Sequence, residues 1–561
     1  MRLPRRPRAA TVVVAFVAVG FVGVSVHEAW TDGPTFDEGT YLVSGLTALR
    51  RHDLRINPQH PPLGKVLAAA PLLAGGAADP PAVPGGARAW RRANEYGLAG
   101  AWIREERAAG RLQRTLFLGR LVPIAEGLAA GWLIWLLARD LFGQRAAPFA
   151  AVLWLANPFT IGLAHLDGID LPGTVTVLAV VLLTVRAVRG PTWPALVWLG
   201  VVGGAAVLTR TTGLLALAAA IAVVVVRSRP AGLRLAVLRG ATVAGVAWLT
   251  LAVVYAALAP RQVLPRSGDV LVLGSIARFA LPPDWLRGMG HLFRAGSDPG
   301  PSYLLGQSHV GRWPWFWFGS LAVKLPPITT LLLFVGPLSW LALDRQRRRD
   351  ALWFLGPSTL LIAVFTLQQQ RPIGLRYLLP VIALGIVGAS AVATLARPVR
   401  VTAWATALPV GVACALALPS LSWTLPVFGP GYRVAADSNL DWGQSWPELV
   451  RWSRQHHPWV AHFGGAGTDV TDLPGARDLA HARGPVRGWV AVSATALTVY
   501  EREDRAWLRA YCPVGVLDRT ILLYRFSTPP DRSLSGPDAP APTCDRGPSS
   551  LTAQPVAAAS R

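Results

Sequence analysis

Charged residues are scarce in this chain of 561 residues, and the acidic ones are fewest. Only 15% of the residues are charged whereas 52% are hydrophobic, a balance that excludes an ordinary soluble enzyme. Aspartate and glutamate total 31 against 54 lysines and arginines, which gives a formal net charge of +23. The arginines lie in short clusters between apolar runs and not along one stripe with interleaved aromatics, so we exclude a nucleic-acid partner.

Cysteine is almost absent as well. The three cysteines, Cys414, Cys512 and Cys544, are too few for a disulfide framework or a cysteine-based metal site. Cys512 and Cys544 share the C-terminal segment, where they either pair, if that segment lies outside the cell, or remain free thiols. No internal repeat is visible.

Long apolar runs are what the sequence does contain. Because each is long enough to cross a bilayer core of about 30 Å, they indicate a polytopic α-helical membrane protein of about 11 spans. We predict spans near residues 9–27, 116–137, 146–164, 171–187, 192–209, 212–226, 236–258, 314–341, 351–367, 376–394 and 402–420. The basic residues 1–8 precede a first span without a small-residue cleavage site, which predicts an uncleaved helix with a cytoplasmic N-terminus.

The basic clusters between the spans agree with this orientation. On the predicted topology, all of the following fall on the cytoplasmic side: Arg139 and Arg145, Arg186 and Arg189, Arg227 to Arg239, Arg345 to Arg349, and Arg397 and Arg400. The same topology places the loops that carry carboxylates and histidines outside, including residues 31–113, 165–170 and 368–376. A transporter is expected to bury its ionisable residues near the midplane instead.

The sequence divides into three predicted regions. Residues 1–422 form the membrane domain, in which 31–113 is a long first external loop with interfacial helices. Residues 423–526 form a small extracytoplasmic α/β domain, and residues 527–561 form a disordered Pro- and Ser-rich tail. Within the α/β domain we predict strands at 459–463, 488–493 and 520–526 and helices at 446–455 and 501–511.

Several short motifs occur in a fixed order along the chain. They are Phe36-Asp37-Glu38, His60-Pro61-Pro62-Leu63, Ala164-His165 with Asp170-Leu171-Pro172, Tyr303-Leu304-Leu305-Gly306, Lys324-Leu325-Pro326, Gly374-Leu375-Arg376-Tyr377-Leu378-Leu379-Pro380 and Asp437-Ser438-Asn439-Leu440-Asp441-Trp442-Gly443-Gln444. With this ordered set the chain resembles bacterial polyprenyl-phosphate-dependent glycosyltransferases of the GT-C fold, family 39, which includes protein O-mannosyltransferases and is related to aminoarabinose transferases. Upstream of Asp437 the sequence lacks the aromatic-Phe-Asn element expected in that family and has 426–430 instead.

The resemblance implies an enzyme of the cell membrane that acts on the cell envelope. It would take a sugar from a polyprenyl-phosphate donor and transfer it, outside the cytoplasm, to a hydroxyl of a protein, lipid or glycan, usually with inversion. Its partners would be the donor, the acceptor and membrane lipids. A transporter or flippase for a lipid-linked sugar is the alternative, and a related scaffold without catalysis is a third reading.

Three carboxylates are the catalytic candidates. The family motif makes Asp37 the general base, a role that suits a carboxylate beside an attacking hydroxyl, whereas a helix cap is the structural alternative. Glu38 either takes part or orients its neighbour. Asp170 is implied to be an acceptor- or metal-site carboxylate, with an N-cap as the alternative.

Cations and hydrogen-bond donors are expected around the leaving phosphate. His60, Lys65, Lys324, Arg376 and Tyr377 are the candidates for donor-phosphate binding. Lys324 stands inside an apolar run ahead of two prolines, so it should face a cavity or a partner. The alternatives are a snorkelling Lys65, an interfacial Arg376 and a His60 that binds a metal or terminates a loop.

His165, Asp437 and Asp441 are expected to support the site. His165 with Asp167 and Asp170 would suit a divalent metal, but some relatives need none, so the cofactor stays open. Asp437, Asn439, Asp441 and Glu448 match the ligand spacing of a calcium loop. Trp442 stands where that loop needs glycine, which favours a structural turn or a lip above the active site.

Overall fold

The computed structural model describes residues 9–260, 281–482, 484–500 and 505–529. Its helices, numbered in chain order up to residue 260, are α1 Ala9–Thr31, α2 Glu38–Arg51, α3 Pro62–Ala74, α4 Gly86–Arg91, α5 Glu95–Ala108, α6 Leu112–Phe142, α7 Ala146–Leu155, α8 Pro158–Ala164, α9 Asp170–Arg189, α10 Trp193–Thr209, α11 Thr212–Ser228 and α12 Leu233–Leu258. Those after residue 280 are α13 Pro283–Ser297, α14 Pro314–Lys324, α15 Pro327–Val335, α16 Arg345–Leu367, α17 Leu379–Ala389, α18 Arg397–Ala415, α19 Gly431–Val434, α20 Trp446–His456 and α21 Ala494–Thr498.

Each predicted membrane span corresponds to a helix or a helix pair, in the same order. In the described part of the chain, 8 helices are long and apolar enough to cross a membrane, and the pair α7–α8, bent by 63°, makes up to 9. The predicted spans at 192–209 and 314–341 are shorter helices. The second is broken because Pro326 has no N–H to donate and Leu325 before it is extended.

The first external loop forms a helical layer over the membrane helices. Helix α2 packs on α3 and α5, and α3 packs on α6. Asn94 caps the N-terminus of α5, where its side chain accepts a hydrogen bond from the backbone N–H of Gly97 at 2.9 Å. Leu42, Leu98 and Trp102 are buried between these helices, so the layer has its own small apolar core.

The opposite end of the bundle collects the basic clusters. Arg189 donates to the Asp350 carboxylate at 2.8 Å, and Arg227 lies 3.7 Å from the same residue. Arg186 and Arg139 both contact Asp140. These contacts join the ends of α6, α9 and α11 to the start of α16 on one side of the bundle.

A five-stranded mixed sheet follows the membrane helices. Its strands are β3 Trp459–Ala461, β4 Arg477–Asp478, β5 Gly488–Ser493, β6 Gly515–Leu517 and β7 Ile521–Phe526. Their order is β4-β3-β5-β7-β6, with parallel pairs around β3 and antiparallel pairs around β7. A separate hairpin, β1 Pro301–Leu304 and β2 Gln307–Val310, lies in the membrane portion of the chain. The predicted small α/β region is therefore confirmed.

Two predictions at the C-terminus have other outcomes. Of the helix expected at 501–511, residues 501–504 lie outside the described residues, and Ala506–Ala510 forms a 3₁₀ helix. Residues 530–561 of the predicted tail, which include Cys544, also lie outside the described residues. Cys512 takes part in a disulfide, whereas Cys414 is free. The pairing of Cys512 with Cys544 stays a prediction.

A buried arginine fastens the exit of α1 to α6. Arg120 makes two hydrogen bonds to the Glu38 carboxylate, at 2.7 and 2.8 Å, and donates to three backbone carbonyls within residues 29–33. These bonds use all five guanidinium N–H groups. Glu38 also accepts from the backbone N–H groups of Thr35 and Asp167, each at 3.0 Å. Both charged side chains are fully buried, so each depends on the other.

Removal of Glu38 should show how much the buried pair contributes to the stability of the fold. We expect Glu38→Ala to lower the free energy of unfolding by about 3–5 kcal/mol, because Arg120 would keep a buried charge without its carboxylate. Chemical denaturation in detergent micelles measures this. Glu448→Ala, which removes an exposed partner of Arg451, is the control and should cost under about 1 kcal/mol. Equal effects of the two variants would contradict a structural role for the buried pair.

Candidate active site

Asp37 stands at the start of α2, but it does not cap that helix through its side chain. Its Oδ2 accepts a hydrogen bond from Arg376 Nη1 at 2.8 Å, across 339 residues of sequence. The Asp37 side chain remains 19% exposed. The cap interpretation is therefore not supported, and Asp37 faces the same space as Arg376.

Asp170 joins the same cluster from the first turn of α9. Its carboxylate lies 3.6 Å from Arg376 and forms a close ion pair with Arg210, in the break between α10 and α11. The chain Asp37–Arg376–Asp170–Arg210 thus alternates in charge and carries two charges of each sign. Asp170 is 4% exposed, so the cluster is largely shielded from water.

Tyr377 connects the two guanidinium groups. Arg210 and Arg376 lie over its ring, at 5.2 and 5.4 Å from the centroid. Arg376 also lies over the ring of Trp442 at 4.2 Å. Aromatic faces therefore hold both arginines beside their carboxylates.

A cavity of about 270 Å³ opens next to this cluster. Arg210, Tyr377 and His60 line it together with the apolar side chains of Phe293 and Phe365. The ring of His60 also contacts Tyr41 edge-on, with centroids 5.6 Å apart. Burial, and then the charge of Lys65, lowers the pKa of His60 well below its ordinary value. His60 is thus a neutral hydrogen-bonding group in this cavity.

Both lysines predicted to bind phosphate bind the protein backbone instead. Lys324 Nζ donates to the carbonyls of Leu421 and Trp423, at 2.7 and 2.5 Å. Lys65 Nζ donates to the carbonyls of Asn57 and His60, at 2.7 Å each. An ammonium group has three donors, so these contacts leave little for a ligand. These contacts favour a loop-anchoring role for both lysines, and their assignment to donor binding stays a prediction.

His165 does not form a metal site with Asp170. Its Nδ1 contacts the carbonyl of Ile161 at 2.9 Å, and its Nε2 lies 3.1 Å from Asp32 Oδ2. Burial lowers the pKa of His165, but Glu28 and Asp32 raise it overall. Within the described ranges, no group of three or more histidine, cysteine, aspartate or glutamate side chains is arranged to hold a metal ion.

Residues 437–444 close the site from the C-terminal side. Asn439 Oδ1 accepts from the backbone N–H of Leu375 at 2.8 Å, next to Arg376. Phe36 N–H donates to the carbonyl of Trp442 at 2.9 Å. The segment thus contacts the backbone next to Asp37 and next to Arg376, and its role as a structural turn or as a lip above the active site stays a prediction.

The two aspartates of this segment have separate surroundings. Asp437 lies near Arg376 and Asp37, and its pKa is raised to about 6 by burial, which Arg376 opposes. Asp441 Oδ2 accepts from the backbone N–H of Thr495 at 2.8 Å, so it supports the sheet domain. Glu448 is exposed and pairs with Arg451, which removes it from any calcium-binding loop.

The sequence analysis missed Arg210. A signal was present: the residue stands in the short break near residues 209–213, on the predicted external side, whereas the basic clusters lie on the other side. An isolated arginine opposed to the positive-inside pattern is expected to have a specific partner. Asp170 is that partner.

Comparison with known proteins agrees with the resemblance seen in the motifs. Residues 110–257 match the family described as dolichyl-phosphate-mannose-protein mannosyltransferase, over less than half of the chain. This match confirms the predicted resemblance and the enzyme class that it implies, a glycosyltransferase. Among curated proteins, none matches the sequence.

Solved structures also show similarity at low identity. ArnT from Cupriavidus metallidurans bound to undecaprenyl phosphate is 18% identical, with 94% of this chain and 100% of that chain covered and a TM-score of 0.47. The archaeal oligosaccharyltransferase AglB from Archaeoglobus fulgidus, with an inhibitory peptide and a dolichol-phosphate, is 13% identical (90% and 72% covered, TM-score 0.46). Arabinosyltransferase EmbB from Mycobacterium smegmatis is 15% identical (71% and 32% covered, TM-score 0.38).

The free energy of unfolding should depend on pH through Asp441, in segment 437–444. Burial raises the pKa of this carboxyl from 3.8 to about 7, so between these values the folded chain binds a proton that the unfolded chain has lost. The free energy of unfolding should therefore fall through this group as pH rises from about 4 to about 7. Asp441→Asn should remove that part of the decline, as measured by denaturation at several pH values.

The exposed Asp469 supplies the matched control. Asp469→Asn should leave the pH profile of stability as in the wild type. A profile of Asp441→Asn parallel to that of the wild type would show that this carboxyl is not the source.

Proposed function

We propose that this protein transfers a sugar from a polyprenyl-phosphate donor to a hydroxyl acceptor outside the cytoplasm, with inversion and with Asp37 as general base. One observation carries the proposal: Asp37, held by Arg376, belongs to a charged cluster beside a cavity that has polar and apolar parts. The matched family is described by a dolichyl-phosphate donor, which is a polyprenyl phosphate.

The cavity suits the head of a lipid phosphate. Arg210 offers guanidinium donors, and His60 and Tyr377 lie beside it, so a phosphate oxygen would find several hydrogen-bonding groups. Phe293 and Phe365 offer apolar contact for the first units of a hydrocarbon chain. A soluble anion would gain nothing from the apolar part.

The reaction needs one bond to form and one to break. The acceptor oxygen bonds to the anomeric carbon while the bond from that carbon to the phosphate oxygen breaks, and its electron pair leaves with the phosphate. Asp37 takes the hydroxyl proton as the oxygen attacks. Arg210 and Arg376 stabilise the charge that develops on the leaving phosphate.

The surroundings of Asp37 support its role as this base. Because Oδ2 accepts from Arg376, the second carboxylate oxygen is left to meet an acceptor hydroxyl at the exposed side of the residue. Glu38 is fully engaged with Arg120, which supports an orienting role for it. Asp170 holds Arg210 and Arg376 in place, which supports a positioning role.

The arrangement of charges supports an external site. The cluster lies where α1 ends and α9 begins, and the contacts of Arg189 and Asp350 lie where α9 ends and α16 begins. Basic residues concentrate at the latter end, which the positive-inside rule assigns to the cytoplasm. The site and the sheet domain then face the extracytoplasmic side.

Asp37→Asn should abolish transfer without loss of the donor. We expect a decrease of about 10²–10⁴ in the transfer rate, because the variant keeps the shape and loses the base. The assay uses purified protein, a panel of radiolabelled polyprenyl-phosphate sugars and crude envelope acceptors, with donor binding measured in parallel. Asp344→Asn, at the opposite end of the bundle, is the control. Equal transfer by Asp37→Asn and wild type would exclude Asp37, and donor binding without any transfer would favour the transporter.

A binding test should distinguish the roles of Arg210 and Lys324. Arg210→Gln should weaken binding of undecaprenyl phosphate about 10- to 100-fold, as expected for loss of a charged hydrogen bond to phosphate. Lys324→Met should leave that affinity unchanged and lower the melting temperature, because its ammonium group binds two carbonyls of the chain. The reverse pattern would return Lys324 to the donor site and remove Arg210.

A further inference from the structure

A second group of aromatic side chains lies beside Asp37. Phe36, directly before the base in the sequence, stacks on Phe463 with ring centroids 5.2 Å apart and an angle of 6° between the rings. Phe463 stacks in turn on Tyr500, at 5.1 Å and 16°. Tyr96 of α5 approaches the Phe36 ring at 5.8 Å. We call Tyr96, Phe36, Phe463 and Tyr500 the aromatic stack.

The stack joins the first external loop to the C-terminal domain. Phe36 and Tyr96 come from the loop, and Phe463 and Tyr500 from the domain. The junction is tight, because a side chain on Gly465 would meet the carbonyl of Thr35 at 2.5 Å. Since the backbones pack this closely, the rings are held in place and a ligand would not have to order them.

Part of the stack is open to solvent. Tyr96 is 49% exposed and Tyr500 is 39% exposed. One face of Tyr500 lies on Phe463, and its other face makes no ring contact within the described residues. Exposed aromatic rings that gather beside a carboxylate in this way mark a candidate ligand-binding surface.

The charges around both tyrosines place the stack at the mouth of the site. Burial, then Glu95 and Asp37, raises the pKa of Tyr96 to about 12, and Arg371 opposes this. The pKa of Tyr500 is also raised, first by burial and then by Asp437. Asp37 and Arg371 therefore lie within electrostatic range of both phenols. In the part of the chain that the structure describes, the exposed Arg371 guanidinium has no ion pair.

The aromatic stack does not line the donor cavity. Arg210, His60 and Tyr377 line the cavity, whereas none of the four stacked rings does. An inverting displacement requires the acceptor oxygen to approach the anomeric carbon from the face opposite the leaving group. With the phosphate in the cavity, the side of Asp37 that carries the stack is the one left for the acceptor.

We propose that the aromatic stack is the acceptor subsite and that its ligand is a sugar ring, so that the hydroxyl acceptor is a carbohydrate. The C–H bonds of a sugar ring carry a small positive charge and pack against the negative face of an aromatic ring. The face of Tyr500 offers this contact, and Arg371 and the tyrosine hydroxyls offer hydrogen bonds to sugar hydroxyls. A serine or threonine side chain has no such ring to cover the exposed face. This inference rests on the proposed transfer reaction.

Binding of glycosides to the full-length protein in nanodiscs tests the subsite directly. The probes are the methyl glycosides of mannobiose, arabinobiose and galactobiose, with a short threonine-containing peptide for comparison, and saturation-transfer NMR gives their affinities. We expect at least one glycoside to bind, and Tyr500→Ala to weaken it about tenfold. Tyr500→Phe keeps the ring and should stay within about twofold.

Phe428 is the matched control because it is 38% exposed, close to the value for Tyr500, and lies outside the stack. Phe428→Ala should leave glycoside binding unchanged. All variants should bind undecaprenyl phosphate like the wild type, which shows that the donor side is intact.

The outcomes separate this inference from the proposed function. Glycoside binding that Tyr500→Ala weakens, without transfer from any donor, would support a sugar-binding site at the stack and overturn the proposed reaction. Transfer with glycoside binding equal in wild type and Tyr500→Ala would overturn the subsite alone. Binding of the peptide and of no glycoside would also overturn it, in favour of a protein acceptor.

Discussion

The buried pair of Arg120 and Glu38 is the interaction on which the site depends. Its carboxylate accepts from Arg120 on α6, from Thr35 after α1 and from Asp167 before α9, so one anion fixes three segments. Asp37 is the residue before that anion, and Asp170 follows Asp167 by less than one turn. The positions of both site carboxylates therefore derive from a charge pair that touches no ligand.

The charged cluster has no net charge before a donor arrives. Asp37 and Asp170 each contact guanidinium groups that a phosphate would also attract. Under the proposed reaction, a phosphate in the cavity would compete for Arg210 and Arg376 with the carboxylates that hold them. Donor binding would then release Asp37 from Arg376 and so be coupled to its action as a base.

The sequence was informative wherever the signal was local. Hydropathy and basic clusters predicted the order of the spans, and the motifs predicted that Asp37, Asp170 and Arg376 lie at one surface. Contacts between segments that are far apart in the chain could not be predicted from the sequence. Its position in the sequence predicts that Lys324 binds an anion, but in the fold it donates to the carbonyls of Leu421 and Trp423. No periodicity encodes such a contact, because it depends on how two remote loops pack.

Segment 437–444 connects the sheet domain to a site that is built on membrane helices. Trp442 lies under Arg376, and Asn439 holds the backbone at Leu375. A chain cut just after α18 would keep its membrane helices and lose this support. A chimera of two related chains would therefore preserve the site only if the membrane helices and the segment through Gln444 came from the same parent. The rest of the sheet domain could come from the other parent.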